Sequence, residues 1–239
     1  MLFFYIRHGD PIYNPDSLTP LGERQAEALA HRLSLFGLDR IYASTSNRAK
    51  LTAKPTCEML KLPMTELDWC NEGHAWNELS LPDSRERPQW IFQNDLYRTL
   101  LASNEISVLG HQWHTHEKFR DTACRDGMER IQRQTDEFFA ELGYRRMEGE
   151  GIYEVTKPNE ERVALFAHQG FGLAFLSCVL NIPYPVITSH FDMGHSGMTV
   201  IEFRTNKDGL TYARTLTHSN DSHLYRDGLP LDYKHHIRF

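Results

Sequence analysis

The chain has 239 residues, 24% of them charged and 40% hydrophobic, with a net charge of −6. That length suggests one domain, burying roughly 70–75% of its unfolded surface around a real core. A negative chain with no Lys/Arg-rich tract argues against nucleic acid or an anionic membrane surface as partner, so any anion site must be a local basic pocket.

The first element is Leu2-Phe3-Phe4-Tyr5-Ile6, an apolar β-favouring run that reads as a buried strand. Gly9 and Pro11 stop it, so Arg7-His8-Gly9-Asp10 falls at the strand end. Residues 12–17 read as a short polar loop. Thr19 is then a good N-cap and Pro20 a good first residue for a helix that Gly37 ends. Leu21, Ala28, Leu29, Leu33 and Phe36 give that helix one apolar face. A short strand at 40–43 leads into a second helix running to about residue 60, interrupted or bent near Pro55. A third strand is expected within 62–69.

Residues 73–126 carry a poor pattern and three of the four tryptophans, Trp76, Trp90 and Trp113. They read as an inserted, largely helical lid on a single domain spanning 1–239, with 89–102 its best helix. Residues 126–142 read as a helix, since Met128, Ile131, Thr135, Phe138, Phe139 and Leu142 share a face. The stretches 151–155 and 162–167 read as a hairpin whose second, wholly apolar strand is central. That strand ends in His168-Gln169-Gly170, the same order of strand, histidine and glycine as at the start. A helix over 171–180 and a last antiparallel hairpin, 198–204 with 210–216, complete the pattern; from His218 onward no element is clear.

Three strand ends therefore deliver polar groups: Arg7 and His8, Glu72, and His168, with Arg48 early in the second helix. In open α/β sheets such ends converge on one rim, where ligands bind. Two guanidiniums and two imidazoles suit a phosphate dianion. One neutral imidazole could attack phosphorus, kept neutral by adjacent cations, while a carboxyl group handles the leaving oxygen and the water. Glu66, Asp68 and Glu78 are nearby alternatives to Glu72 as that acid. Segment 111–116 holds three histidines, but His111, His114 and His116 lack a clean i, i+4 pair with an acid, so a lid segment is expected there and no metal site. His190, His195 and His223 fall in late loops that could line the rim. Cys57, Cys70, Cys124 and Cys178 are widely spaced, with no C-x-x-C pair. Free thiols are expected, and with neither a signal pattern nor a bilayer-spanning run, a cytoplasmic location.

Four motifs in order, Arg7-His8-Gly9-Asp10 with Asn14, Leu18-Thr19-x-x-Gly22-x-x-Gln25-Ala26, Ser44-x-x-x-Arg48-Ala49-x-x-Thr52-Ala53, and the late His168, resemble the histidine phosphatase superfamily in its phosphoglycerate mutase-like branch. The resemblance implies a three-layer α/β/α sandwich with a mostly parallel central sheet and an antiparallel edge. It also implies His8 as the phosphorylated nucleophile, Arg7, Arg48 and His168 as the phosphate pocket, Glu72 as proton donor and Asn14 as a substrate contact. Asp10 stands where the family commonly has Glu or Gln, the loop 14–18 lacks the mutases' Thr-Gly segment, and Gln169 separates His168 from Gly170. The expected activity is a cofactor-free, metal-independent phosphatase acting on a small phosphomonoester, with a homodimer allowed for. The alternatives are a mutase-type phosphotransferase and a catalytically silent phospho-ligand binder.

Overall fold

A computed structural model describes residues 1–231; the expected domain's last eight residues lie outside that range. The fold grows from β1 (Leu2–Arg7), whose side chains alternate between two buried faces. Phe3 and Tyr5 enter one apolar cluster, Phe4 and Ile6 another. A strand buried on both sides needs a layer on each, and helices supply them.

The polar loop after β1 is a small hairpin, β2 (Pro11–Tyr13) with β3 (Asp16–Leu18). Helix α1 (Pro20–Phe36) starts as expected, Thr19 accepting from the Gly22 N–H, and ends at Gly37 with φ +71°. Strand β4 (Arg40–Ser44) leads into α2 (Asn47–Leu60). Pro55 does not interrupt α2; the carbonyl deprived of its bond is that of Leu51, which is exposed to water. Strand β5 (Met64–Leu67) and a 3₁₀ turn precede α3 (Glu72–Leu79).

The inserted region differs from expectation. It contains a hairpin, β6 (Ser80–Pro82) with β7 (Pro88–Trp90), and only short helices, α4 (Arg98–Leu101) and α5 (Asn104–Ser107). The expected helix over 89–102 is reduced to α4. Buried Asn94 explains the loss: its amide donates to the Leu81 and Pro82 carbonyls and its oxygen accepts from the Leu96 N–H. The two bonds to the hairpin tie Asn94 to carbonyls 13 and 12 positions back in the chain, and the local bond to Leu96 competes with helix formation.

Helix α6 (Cys124–Glu141) matches the expected one. The next strands, β8 (Tyr144–Arg146), β9 (Ile152–Val155) and β10 (Arg162–Ala167), do not form the expected hairpin. Apolar β10 lies between β1 and β4, parallel to both, where both its faces are covered. The more polar β9 pairs with β8 at the far edge. Helices α7 (Gln169–Leu180) and α8 (Tyr184–His190) follow, then β11 (Met198–Phe203) and β12 (Leu210–Asn220) as the expected antiparallel pair. Beyond His218, where no element was expected, β12 continues and α9 (Ser222–Arg226) forms. The sheet order is β5-β4-β10-β1-β11-β12-β9-β8, a parallel core with an antiparallel edge between two helical layers. This is the expected α/β class.

The turn after β1 packs without clearance on the start of α1. A Cβ at Gly22 would stand 2.2 Å from the Asp10 carbonyl oxygen, and one at Gly9 would meet Gly22 at 2.7 Å. Backbone faces backbone, so neither side can yield. Gly22→Ala is expected to cost about 2–3 kcal/mol by overpacking, read as a lower urea midpoint. An unchanged midpoint would mean that the turn can shift.

Candidate active site

Arg7 and Ala167 are register partners, so β1 and β10 end side by side. That places His8 and His168 in adjacent positions, their ring centroids 5.3 Å apart. Both are buried, at 1% and 0% exposure. The turn carrying His8 is bolted to the helices behind it. Gly9 N–H donates to Thr52 Oγ1 at 2.9 Å and Asp10 N–H to Gln25 Oε1 at 2.7 Å. Gln25 and Thr52 belong to two of the four sequence motifs; their work is to fix the loop.

His8 Nδ1 lies 2.7 Å from the Gly9 carbonyl. A carbonyl only accepts, so Nδ1 carries the proton and Nε2 presents a lone pair. Burial holds His8 well below the usual imidazole range, with the Arg7 and Arg48 charges adding to it. Burial, more than the cations expected from sequence, keeps the ring neutral. His168 is lowered in the same way, by burial first and then by His8 and the two arginines. Its Nε2 meets the hydroxyls of Ser44 and Ser46 at 2.8 and 3.1 Å. Its Nδ1 turns to Glu72, 3.6 Å from Oε2. Tyr5 braces the backbone behind it, its hydroxyl donating to the His168 carbonyl and accepting from the His168 N–H.

Glu72 is the first residue of α3 and joins three elements. Oε1 accepts from the Gly170 N–H at 2.9 Å and Oε2 from Arg48 at 3.1 Å. Arg48 also donates to Asp16 at 2.8 Å, and Tyr13 lies against its guanidinium. Asp16 in turn accepts from the first N–H of α2, at Asn47. Trp90 of β7 covers Gly170; a Cβ there would come within 2.3 Å of its ring. The inserted region thus walls the site on the Glu72 side. The other expected acids are elsewhere: Glu66 pairs with Lys50, Asp68 with His74, and Glu78 with Arg130.

Arg7, His8, Arg48, Glu72 and His168 therefore come together as the strand-end argument requires. Asn14 does not join them; it sits exposed at the turn of the β2–β3 hairpin, between the two residues that reach Arg48. Gln169, the break in the family pattern, turns away and donates to Asp192. His195 was only one of three late-loop histidines in the sequence. It lies 2.7 Å from Arg7 and 5.7 Å, ring to ring, from His8. No strand precedes it, so no strand-end signal marks it. His223 packs behind the site, with Nε2 2.9 Å from Ser196 Oγ, while the Ser196 N–H donates to the His8 carbonyl.

Ligand atoms of His8, Glu72 and His168 lie within 4.8 Å of one another, close enough to share a cation. The Arg48 guanidinium already occupies the Glu72 carboxylate, and both arginines depress the two imidazoles. That field favours an anion.

The buried imidazoles set an acid limit on stability. His8, His168 and His223 are held neutral in the fold, His223 down to about 4, whereas in the unfolded chain each protonates near pH 6.5. Below that pH the unfolded state binds more protons, so stability falls as pH falls. The loss for each is up to about 1.4 kcal/mol per pH unit, until its folded-state pKa is reached. The urea midpoint is expected to drop between pH 7.5 and 5.5, and less steeply in His223→Gln. A midpoint flat across that range would contradict the neutral assignment.

A family model described as the histidine phosphatase superfamily (branch 1) matches residues 3–214. Among solved structures, a phosphoserine phosphatase variant from Entamoeba histolytica superposes with a TM-score of 0.60 at 15% identity, over 93% of this chain and 98% of that one. A mycobacterial protein described as hydrolase 1 gives 0.58 at 19% identity, over 92% and 98%. The mycobacterial glucosyl-3-phosphoglycerate phosphatase gives 0.58 at 18%, over 91% and 98%. At these identities the likeness is one of fold. No curated protein matches the chain by sequence. Among the described residues, no helix is long and apolar enough to cross a membrane.

Proposed function

The chain belongs to the histidine phosphatase superfamily, and from that premise we propose that it is a metal-independent phosphatase hydrolysing a small phosphomonoester through a phosphohistidine on His8. One observation carries the reading: the Gly9 carbonyl holds the Nδ1 proton of a buried, neutral His8, leaving Nε2 as nucleophile. The phosphoryl oxygens sit between Arg7, Arg48 and His168. Nε2 bonds to phosphorus, the ester P–O bond breaks, and the proton of a monoanionic ester passes through Glu72 to the departing oxygen. Glu72 then takes a proton from water, whose oxygen attacks phosphorus, and returns it to the inorganic phosphate released, restoring His8.

The cations are spent on the phosphate; beside them stand two aromatic rings, Trp90 against Gly170 and Tyr13 against Arg48. This supports an organic monoester as substrate, with Asn14 contacting it from the hairpin turn. The fold neighbours include phosphatases of phosphoserine and of glucosyl-3-phosphoglycerate, also small monoesters. Four free cysteines fit a cytoplasmic site of action.

The test is a phosphomonoester panel, headed by 4-nitrophenyl phosphate, assayed for phosphate release in excess chelator. Release that survives the chelator supports the reading. Chelator-sensitive release, or isomerisation of a phosphorylated acid without net release, would overturn it.

A further inference from the structure

The loop between α8 and β11 runs beside the end of β1 and holds the Arg7 side chain from two directions. One terminal nitrogen of the guanidinium donates to the Met193 carbonyl; the other lies 2.7 Å from His195 Nε2. A guanidinium only donates. The contact therefore requires a lone pair on Nε2, which places the ring proton of a neutral His195 on Nδ1. Nδ1 faces Asp10, 3.6 Å from Oδ1. Asp10 is itself anchored, its Oδ2 accepting from Thr19 Oγ1 at 2.6 Å and its N–H donating to Gln25. Carboxylate, imidazole and guanidinium thus form a chain of contacts from the turn after β1 into the pocket.

We infer that His195 is a positioning residue: it aims the Arg7 fork at the phosphoryl oxygens, and Asp10 selects the tautomer that lets it do so. Charge-assisted hydrogen bonds to an oxyanion depend on direction, and a fork already held at both terminal nitrogens loses little freedom when the anion arrives. Asp10, the shorter acid at a position where the family commonly has Glu or Gln, gains a partner in this arrangement. The inference rests on the proposed role of Arg7 as a phosphate anchor. Its test therefore includes a measurement that needs no turnover.

The variants are His195→Leu, which fills the space without an acceptor, and His195→Gln, whose side-chain oxygen can accept from Arg7. Calorimetry gives the Kd for inorganic phosphate, and 4-nitrophenyl phosphate gives kcat/KM. His195→Leu is expected to weaken both by about 10- to 100-fold, and His195→Gln to recover them to within about threefold of wild type. In an Arg7→Ala background, His195→Leu should change the phosphate Kd little further, because its effect passes through Arg7. Wild-type behaviour in His195→Leu would overturn the inference. So would equal loss in both His195 variants at unchanged unfolding midpoints, or full additivity with Arg7→Ala. If no monoester is turned over but phosphate binding follows this pattern, the phosphatase reading fails and the positioning role stands. If turnover depends on His8 while His195→Leu binds phosphate normally, the reverse holds.

Discussion

His8→Ala is expected to lower phosphate release by at least about 10⁴-fold and to abolish any acid-labile phosphoenzyme formed with radiolabelled substrate. The size follows from what is removed. Among the described residues, no other group in the pocket presents a free, neutral imidazole nitrogen in the same place. His168 is the nearest ring, and its Nε2 is engaged by the Ser44 and Ser46 hydroxyls while its Nδ1 faces Glu72. Truncating His8 also leaves the phosphate cradle in place, because Arg7 and Arg48 are held by Met193, Asp16 and Glu72. The variant should therefore still bind inorganic phosphate, within about tenfold of wild type. Binding without turnover separates a lost nucleophile from a collapsed site. Turnover within about tenfold of wild type in His8→Ala would remove the phosphohistidine from the mechanism.

Glu72→Gln carries the second largest effect, a fall in kcat of about 10²–10⁴-fold for an alkyl phosphate. An alkoxide is a poor leaving group and needs the proton; a nitrophenolate does not. The loss in phosphoenzyme formation should therefore shrink as the leaving group becomes more acidic, while the hydrolysis step, for which Glu72 is the proposed base, stays slow for every ester. A burst of 4-nitrophenol followed by slow release is the expected signature in single-turnover kinetics. A loss of equal size in phosphoenzyme formation for alkyl and nitrophenyl esters would point instead to a role in holding Arg48 and the Gly170 N–H, both bound by this carboxylate. Glutamine keeps only one of the two acceptor oxygens those contacts use, so the Kd for inorganic phosphate is measured beside the rates to separate the proton from the scaffold.

Much of this site was legible before the fold. An apolar run cut by Gly9 and Pro11 places Arg7 and His8 at a strand end, and the same pattern recurs at His168. Parallel strands in one sheet end on one rim, so two such signals imply proximity. Arg48 and Glu72 were reached by the same reasoning, since each lies within a few residues of a strand end. His195 was named only as one of three late-loop histidines that could line the rim. It sits in a loop, and what sets it apart stands opposite it, the Arg7 nitrogen and Asp10, more than 180 residues away in the chain.

Local sequence was sufficient wherever the decision is made between near neighbours. Thr19, Pro20 and Gly37 mark α1 because capping and backbone freedom are settled within a turn of helix. The unbroken apolar runs of β1 and β10 mark buried strands because burial is recorded residue by residue. Pairing is a different kind of decision. The stretches 151–155 and 162–167 are close in sequence and could have formed a hairpin, yet β10 lies between β1 and β4. Closing a longer loop costs only slightly more than closing a short one, whereas covering both faces of an apolar strand is worth far more. The same competition turned 89–102 from a helix into a hairpin strand and a short turn of helix around Asn94. Sheet closure also set which groups face Arg7 and His168, namely His195 and Glu72. Those are properties of atoms brought together by the sheet, and they exist only once it has closed.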